Sequence, residues 1–293
     1  MIVISKSKQI IDYCVYAILF LIIGITFIFP MLYVVGNSFR NTQAIWGNAF
    51  PFTLRTFFTP KDFTFDGYLY SLGLTPQARY QGVNVSRNLL ISLLSSICVV
   101  AFSLVVSTSA AYFFARLPFP RKKILLVFVV ATMMIPQQVV IVPLFFVANA
   151  LNLINTFWAL VIPWYSSPFV VFLMVQFLAD IPHELDEAAI IDGANRWQIL
   201  WRIILPNSIA GLLTVCLMEF QFIWNEYFWP LIAISSTRLH PIQMAIASQF
   251  TESNQNWGAV FATMVLASLP IILLFLFSQK YFYVSVASSG IKG

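Results

Sequence analysis

Long apolar runs separated by short polar segments dominate the pattern of this chain. Six runs reach the roughly 20 residues that a helix needs to cross the hydrocarbon core of a bilayer. They cover residues 13–35, 88–115, 124–147, 158–178, 208–232 and 260–280. Away from the edges of these runs, the only charged side chains inside them are Glu219 and Glu226. The pattern therefore predicts an all-α, polytopic membrane protein with six transmembrane helices.

Composition supports this prediction. Hydrophobic residues make up 60% of the chain, charged residues 9%, and the mean hydropathy is +0.85, whereas a soluble domain carries roughly 25% charged residues. Lys6 and Lys8 precede the first run, but that run exceeds the 7–15 apolar residues of a secretion signal, so we expect an uncleaved first helix. The three cysteines all lie in predicted spans and indicate no disulfide framework.

The distribution of Lys and Arg predicts the orientation, because short cytoplasmic loops are enriched in both. Placing both termini in the cytoplasm makes residues 179–207 cytoplasmic and residues 37–87 a long outer loop, in which the rule counts for little. Of the 16 basic residues, those then on the cytoplasmic side are Lys6, Lys8, Arg116, Arg121, Lys122, Lys123, Arg196, Arg202, Lys280 and Lys292. This bias accounts for the net charge of +5, so we expect no nucleic-acid partner.

Residues 179–207, which we call the Glu-Ala-Ala segment, have the pattern of two short helices joined by a turn. Pro182 suits the first turn of a helix, and Leu185, Ala188 and Ala189 then fall on one helical face. Gly193 can supply a left-handed stop. A second apolar stripe follows at helical spacing, and Pro206 ends it; the stripe consists of Trp197, Leu200, Trp201 and Ile204.

The spacing within this segment resembles the EAA loop of ABC importer permeases. Glu187-Ala188-Ala189 is followed by three residues, Gly193, nine residues and then Ile203-x-Leu205-Pro206, which matches every fixed position of that pattern. The wider similarity is to the carbohydrate-importer branch, in particular the second permease subunit of maltose and alginate importers. It rests on Met133–Pro136, Pro143-Leu144, Asn155-Thr156, Phe177, Ile181–Leu185 and Trp224–Glu226.

The resemblance covers residues 88–293 well, the first span only in kind and the long outer loop hardly at all. Leu200 and Ala210 depart from the aromatic residue and the proline that are common at these positions, which puts the exit angle of the second helix in doubt. The resemblance implies the type I ABC importer permease fold, a single permease domain over residues 1–293, and a place in the bacterial cytoplasmic (inner) membrane.

The resemblance also implies that the Glu-Ala-Ala segment couples the spans to an ATPase. Glu187 is expected to meet the ATPase, the two alanines to permit close contact, and Gly193 to set the angle between the helices. The full set of expected coupling residues is Glu184, Glu187, Ala188, Ala189, Asp192, Gly193, Leu205 and Pro206.

The chain itself is expected to be neither an ATPase nor a metalloenzyme. No Gly-x-x-x-x-Gly-Lys-Ser/Thr phosphate loop occurs in it, so ATP and Mg are expected on a partner, and no cofactor is expected here. His183-Glu184-x-x-Glu187 lacks the second histidine of a zinc-binding helix, so we predict no catalytic or metal-binding residues.

Expected partners are a second homologous permease, two ATPase subunits, an extracytoplasmic solute-binding protein, a carbohydrate and the lipid bilayer. The carbohydrate is expected to be an oligosaccharide, and whether it is neutral or acidic stays open. Residues 37–87 are too few for a robust core of their own. They form either a cap packed on the outer ends of the helices, part of a platform for the binding protein, or both; residues 233–259 are a second candidate for that platform.

Glu219 and Glu226 are two helical turns apart and share a helix face. A charge at mid-bilayer costs about 3 kcal/mol or more, so Glu219 lies either beside a translocation path or as a protonated carboxyl bonded to a neighbouring helix. Four prolines in the third and fourth spans either open a cavity or shape packing. Candidate path residues are Glu219, Trp224, Asn225, Trp158 and Trp164.

One alternative from another class is a self-contained secondary transporter in which Glu219 carries a proton. Such a transporter predicts an internal repeat. The Glu-Ala-Ala segment has no counterpart in residues 116–123, the corresponding loop of the first half.

Overall fold

The computed structural model describes residues 6–57, 60–250 and 256–289, and in these ranges the chain forms helices and turns without a β-strand. The α-helices in the first part are α1 Lys6–Ile23, α2 Phe29–Ser38, α3 Thr42–Gly47, α4 Leu54–Phe57, α5 Asp66–Ser71, α6 Pro76–Tyr80, α7 Val85–Arg116, α8 Lys122–Thr132 and α9 Gln137–Ala150. Those that follow are α10 Pro168–Ala179, α11 Glu184–Ile191, α12 Arg196–Ile199, α13 Leu205–Asn207, α14 Ile209–Trp224, α15 Phe228–Ala233, α16 Ile242–Gln249 and α17 Trp257–Ser289.

Tighter and wider turns complete the helical chain. The π-helical turns are Gly24–Ile28 and Leu200–Ile204, and the 3₁₀ turns are Pro60–Asp62, Phe157–Leu160, Ile162–Trp164 and Thr237–Leu239.

Among the described residues, three helical stretches are long and apolar enough to cross a membrane unbroken: Asp12–Ser38, Val85–Arg116 and Trp257–Gln279. Three further stretches reach that length only as bent pairs. The pairs are Lys122–Thr132 with Gln137–Ala150, bent by 94°, Phe157–Trp164 with Pro168–Ala179, bent by 45°, and Arg196–Asn207 with Ile209–Trp224, bent by 86°. The all-α fold is confirmed, and the count reaches the predicted six when each bent pair is one span.

Proline explains where the third and fourth predicted spans break. Pro136 directly precedes α9 in extended conformation, and Pro143 lies inside α9. Pro163 lies in the 3₁₀ turn Ile162–Trp164, and Pro168 begins α10. Each lacks an N–H to donate and each ring clashes with the carbonyl four residues earlier. The expected bends are present at Pro136 and between Pro163 and Pro168, whereas α9 continues through Pro143.

The fifth predicted span, 208–232, is not one helix. α14 ends at Trp224, and helical structure resumes only at Phe228 in α15. Pro230 accounts for this interruption, because a helix running through it would leave the carbonyl of Glu226 unbonded and in contact with the proline ring.

The chain divides into two compact units: residues 1–86 with 246–268, and residues 87–245 with 269–293. The single permease domain over residues 1–293 stays a prediction.

In the first unit, the loop after α2 returns along that helix. The Phe29 ring lies 5.6 Å from the Phe52 ring and 4.7 Å from the Phe57 ring, measured between centroids. Because Phe29 comes nine residues before the end of α2, these contacts lie about 13 Å back along the helix axis. Gly36 permits the approach, since a Cβ there would overlap the Phe57 carbonyl oxygen.

A buried arginine fixes this return. Arg40, 2% exposed, donates to the Thr56 carbonyl at 3.0 Å and to the Arg55 carbonyl, so it satisfies backbone groups at the end of α4. Burial lowers the pKa of Arg40, and Asp62 opposes that shift. Together with the contacts of α2, this network favours the cap interpretation of the 37–87 loop.

The second unit has its main core where α7, α10, α14 and the Glu-Ala-Ala segment meet. Its buried members are Ala111, Tyr112, Val170, Val171, Met174, Val175, Leu178, Ile181, Ala189, Ile199, Leu200, Ile204, Leu205 and Val215. The Glu-Ala-Ala segment is thus part of the core of this unit and not a loop hanging from it.

Candidate functional site

The first half of the Glu-Ala-Ala segment is α11, with three acidic residues in its first turn. Negative side chains there interact favourably with the helix dipole. α11 stops at Gly193, whose φ of +79° is left-handed. The Ala194 amide then donates to the Ala189 carbonyl at 2.9 Å, which satisfies one of the carbonyls at the helix end. The predicted left-handed stop is confirmed.

The second half begins with a capping box. The Asn195 side chain accepts from the Gln198 amide at 2.9 Å, while the Gln198 side chain accepts from the Asn195 amide at 2.8 Å, so two free donors of α12 are satisfied. The π turn Leu200–Ile204 and α13 follow without a break. Pro206 has no N–H to donate to the preceding turn, and the helix ends at the next residue, Asn207.

The buried face of the second half differs from the predicted stripe. Ile199, Leu200 and Ile204 are 0–1% exposed, whereas Trp197 and Trp201 are 56% and 43% exposed. Leu200 and Ile204 are four positions apart and share one face, whereas Trp197 and Trp201 share a neighbouring face. The two tryptophans therefore lie largely outside the core.

α11 also turns a different face inward from the predicted apolar one. Ala189 and Asp186 are buried, while Leu185 and Ala188 are exposed. Of the predicted coupling residues, Ala189 and Leu205 belong to the core. The others are exposed: Glu184, Glu187, Ala188, Asp192, Gly193 and Pro206. Exposed residues of α11 and of the position after it form one surface, which we call the α11 face. Its members are Glu184, Leu185, Glu187, Ala188, Ile191 and Asp192.

Sequence reasoning missed the charged residues that hold α11. The side chains of Arg116 and Asp186 are 1% and 9% exposed, and Arg116 Nη1 lies 3.2 Å from Asp186 Oδ2. The same Nη1 lies 3.1 Å from His183 Nδ1. A signal was present, because Asp186 precedes the buried Ala189 by three positions and thus shares its helix face.

The second site is a cavity of about 730 Å³ in the same unit. Its lining is mostly apolar, with a few polar side chains. The residues that line it are Thr132, Met133, Ile135, Gln137, Val140, Ile141, Leu144, Pro163, Trp164, Ser166, Ser167, Pro168, Phe169, Met218, Glu219 and Phe222. The cavity lies beside the 94° bend between α8 and α9, as expected if kinked helices open a space.

Glu219 is 5% exposed and lies near the hydroxyls of Ser167 and Ser103. The Ser167 amide in turn donates to Ser107 Oγ at 3.0 Å. Serine side chains from α7 and from the residue before α10 thus surround this carboxyl at the cavity wall. The two interpretations of Glu219, a residue of the translocation path or a protonated carboxyl bonded to a neighbouring helix, stay predictions.

The structure brings Glu219 and Trp164 together on one cavity but not the other predicted path residues. Trp224 is 1% exposed and stacks on Phe220, and Trp158 is 48% exposed away from the cavity lining. Asn225 lies at a smaller pocket of about 350 Å³.

Gln137 was not predicted, yet it lines the cavity and donates to Glu226 Oε2 at 2.9 Å. This bond ties the bend before α9 to the chain just after α14. Among the described residues, no group of three His, Cys, Asp or Glu side chains is placed to hold a metal ion.

Comparison with solved structures supports the fold. The chain matches a subunit in the crystal structure of a bacterial ABC transporter involved in the import of the acidic polysaccharide alginate, with a TM-score of 0.79. The match covers 96% of this chain and 100% of the other, at 22% sequence identity. The predicted ABC importer permease fold is therefore confirmed.

Several characterised or named sequences are similar over nearly the whole chain. The probable ABC transporter permease YurM of Bacillus subtilis is 31% identical over 282 residues, which is 95% of this chain and 88% of that one. The arabinooligosaccharide transport system permease AraQ of Halalkalibacterium halodurans is 28% identical over 94% of both. The diacetylchitobiose uptake system permease NgcG of Streptomyces coelicolor is 26% identical over 90% of this chain and 84% of that one.

Residues 107–287, more than half of the chain, match a family of membrane components of importers. The matched range includes both the Glu-Ala-Ala segment and the cavity. Membership favours one subunit of a multi-component importer over the self-contained secondary transporter. The chain belongs to the family of binding-protein-dependent transport system inner membrane components, the permeases of ABC importers.

Proposed function

We propose that this chain pairs with a second, homologous permease to import an oligosaccharide that an external binding protein delivers. The carbohydrate class is supported by the relatives named for arabinooligosaccharides and diacetylchitobiose. Two ATPase subunits, which bind ATP and Mg, supply the energy. The complex lies in the bacterial cytoplasmic membrane, with both termini and the Glu-Ala-Ala segment on the cytoplasmic side.

The observation that carries this proposal is the α11 face. It projects acidic, small and apolar side chains, with Ile191 86% exposed, from a helix whose opposite side is part of the core. Gly193 holds it at a fixed turn to the next helix. When a partner displaces an exposed surface on a helix that is packed in the core, the displacement is transmitted to the neighbouring helices, whereas a flexible loop would absorb it.

In this proposal, Glu187 contacts the ATPase and Ala188 allows close approach. Movement of the ATPase subunits displaces α11, and the core shared with α7, α10 and α14 carries the displacement to the spans. Residues 37–87 and 233–259 face outward, where they offer surfaces to the binding protein.

The cavity beside Glu219 is proposed as this subunit's share of the translocation path. A volume of about 730 Å³ lies within the range typical of small-molecule sites, which combine apolar and aromatic walls with a few polar groups. Trp164 and Phe222 offer ring faces to a sugar, while Gln137, Ser166 and Glu219 offer partners to its hydroxyl groups.

Purification of the detergent-solubilised complex from its native membrane tests the assembly. We expect mass spectrometry to find an ATPase and a second permease with this chain. Reconstituted with the binding protein, the complex should take up labelled oligosaccharide only when ATP is supplied. A chain that purifies alone and transports under a proton gradient without ATP contradicts the proposal.

The variant Glu187→Lys tests the α11 face. We expect it to reduce substrate-stimulated ATP hydrolysis more than tenfold, about the effect of losing a charged contact at an interface. Asp180→Lys is the matched control, because it makes the same charge change at an exposed residue just before α11 and should leave stimulation near that of the wild type. Equal stimulation in both variants excludes the proposed contact.

A further inference from the structure

The pair Arg116–Asp186 joins two elements that are far apart in the chain. Arg116 is the last residue of α7, and Asp186 lies in the first turn of α11. Their charged atoms are 3.2 Å apart, and both side chains are at least nine-tenths buried. Among the described residues of this unit, this is the only ion pair between the second span and α11, and it is buried.

Each charge lies at the helix end that favours it. The C-terminal end of a helix carries partial negative charge and the N-terminal end partial positive charge. Arg116 is at the former and Asp186 at the latter. The pair therefore specifies which end of α11 meets α7.

The pair is poorly suited to adding stability. Within the described residues, Arg116 Nε and Nη2 and both Asp186 oxygens are buried without a well-oriented hydrogen bond. A further contact of Arg116 is to His183, whose side chain is 64% exposed. Because a buried ion pair with unsatisfied atoms is commonly no better than an apolar contact of the same volume, stability alone does not account for this one.

Apolar packing in the surrounding core attaches α11 to the rest of the unit but does little to fix its orientation. Ala189, Leu200 and Ile204 pack against α7 and α10 through apolar surface, and apolar attraction is non-directional. Such a surface lets one helix slide or rotate on another at small cost. The attraction between two opposite charges weakens as they separate, so the 3.2 Å contact of Arg116 with Asp186 favours one placement of α11 on α7.

We infer that Arg116 and Asp186 are positioning residues, which lock the direction of α11 on α7 so that a displacement of the α11 face moves the second span. This inference rests on the proposed coupling function. Without the pair, α11 stays packed through its apolar side, but it shifts relative to α7 when the ATPase displaces the α11 face.

Four variants separate the orientation of α11 from the stability of the complex. Arg116→Met and Asp186→Leu alone each leave an unpaired buried charge, so both are expected to lower the yield of assembled complex. The double variant removes both charges while keeping the volume, so yield and basal ATP hydrolysis should recover to near the wild-type level. Transport per ATP hydrolysed should stay about tenfold below wild type in the double variant. Arg116→Lys, which retains the charge, should recover most of the coupling.

The distance between α11 and α7 can be measured directly with spin labels. Spin labels replace Ile191 on the α11 face and Phe113 on α7, which are 86% and 47% exposed, in a background without Cys14, Cys98 and Cys216. The wild-type pair should give a narrow distance distribution that keeps its width when ATP is added. The double variant should give a distribution at least twice as broad.

Recovery of transport per ATP together with a narrow distribution in the double variant overturns the inference, because the pair would then be replaceable by apolar packing. Failure of the proposed function shows differently: no ATPase co-purifies and Glu187→Lys changes nothing. The distance distribution is measured within this chain, so it still decides whether the pair fixes α11 on α7.

Discussion

The two ends of α7 hold the segments packed against them by different chemistry. Near its N-terminal end, Asn88 Nδ2 donates to the His240 carbonyl at 2.7 Å, and Ser92 Oγ accepts from the Ile242 amide at 2.8 Å. At its C-terminal end, the guanidinium of Arg116 meets the carboxylate of Asp186. At the N-terminal end, neutral side chains form hydrogen bonds with backbone groups. At the C-terminal end, two side chains of opposite charge form an ion pair.

This difference shows two uses of buried polar groups in one helix. A buried backbone N–H needs an acceptor, so Ser92 stabilises the 240–242 segment by accepting the hydrogen bond of the Ile242 amide. Arg116 and Asp186 meet no such requirement of the backbone, and several of their own atoms stay without hydrogen bonds. We therefore expect removal of the buried polar groups at the N-terminal end to alter stability, and removal of the Arg116–Asp186 pair at the C-terminal end to alter coupling.

The largest effect on stability is expected from the apolar packing of the Glu-Ala-Ala segment at the C-terminal end. Ile204→Ala removes a fully buried side chain and should cost about 2–5 kcal/mol in the free energy of unfolding. Trp201→Ala, at a side chain 43% exposed, should cost less than half as much. Unfolding of the solubilised complex in denaturant measures both, and a larger loss for Trp201→Ala would mean that the side of the helix that carries the tryptophans packs on the core.

At the N-terminal end, Ser92→Ala leaves the buried Ile242 amide without its acceptor. We expect a loss of about 1–3 kcal/mol in unfolding free energy with transport per ATP unchanged. Ser95→Ala is the control, because the Ser95 hydroxyl bonds only within α7, to the Ser92 carbonyl. A drop in transport per ATP for Ser92→Ala would abolish the distinction between the two ends.

The turn that follows α11 is the next test. Gly193→Val places a β-branched residue at φ +79°, at a cost of about 1–2 kcal/mol, and should reduce substrate-stimulated ATP hydrolysis about tenfold by changing the direction of the α11 face. Gly82→Val imposes the same strain at φ +71°, again with no neighbour within 4 Å, but in the other compact unit of the chain.

The Gly82 control separates backbone strain from position. We expect Gly82→Val to lower the thermal midpoint while stimulation remains, and Gly193→Asn, which tolerates the left-handed region, to stay near wild type. Equal loss of stimulation in both valine variants would attribute the effect to general destabilisation.

The smallest effect is expected at His240, beside the N-terminal end of α7. Burial, and then the charge of Arg87, lower the pKa of His240. As the pH falls from about 6.5, the unfolded pKa, through the folded value, the unfolded state binds more protons and stability is lost. The thermal midpoint should fall slightly between pH 7.5 and 5, and His240→Gln should flatten that change. A steeper fall in the variant would contradict this assignment.

Features that depend on neighbouring residues could be predicted from the sequence. The stop at Gly193 and the prolines at the breaks follow from local backbone chemistry. The buried face of the second half could be predicted only in part, since Trp197 and Trp201 fit the apolar stripe as well as Leu200 and Ile204 do, and periodicity does not show which side of a wide stripe meets the core.

Features that depend on distant residues were found only in part. Glu219 stood out because a carboxyl in an apolar run is costly, but its serine neighbours lie on other helices. Arg116 looked like the end of a span, and Asp186 like one of several acidic residues in a helix start. Their pairing requires the path of the chain between them, which periodicity does not contain.

The return of the first loop along α2 has a consequence for mapping the membrane boundary. Phe52 and Phe57 reach back to Phe29, and no charged residue occurs from Asn41 to Leu54. We expect a water-soluble protease or alkylating reagent added on the side of this loop to reach residues 50–54 poorly, because the chain there runs back along α2 after that helix has ended at Ser38. Accessibility mapping would therefore report a first hydrophobic segment longer than the helix that crosses.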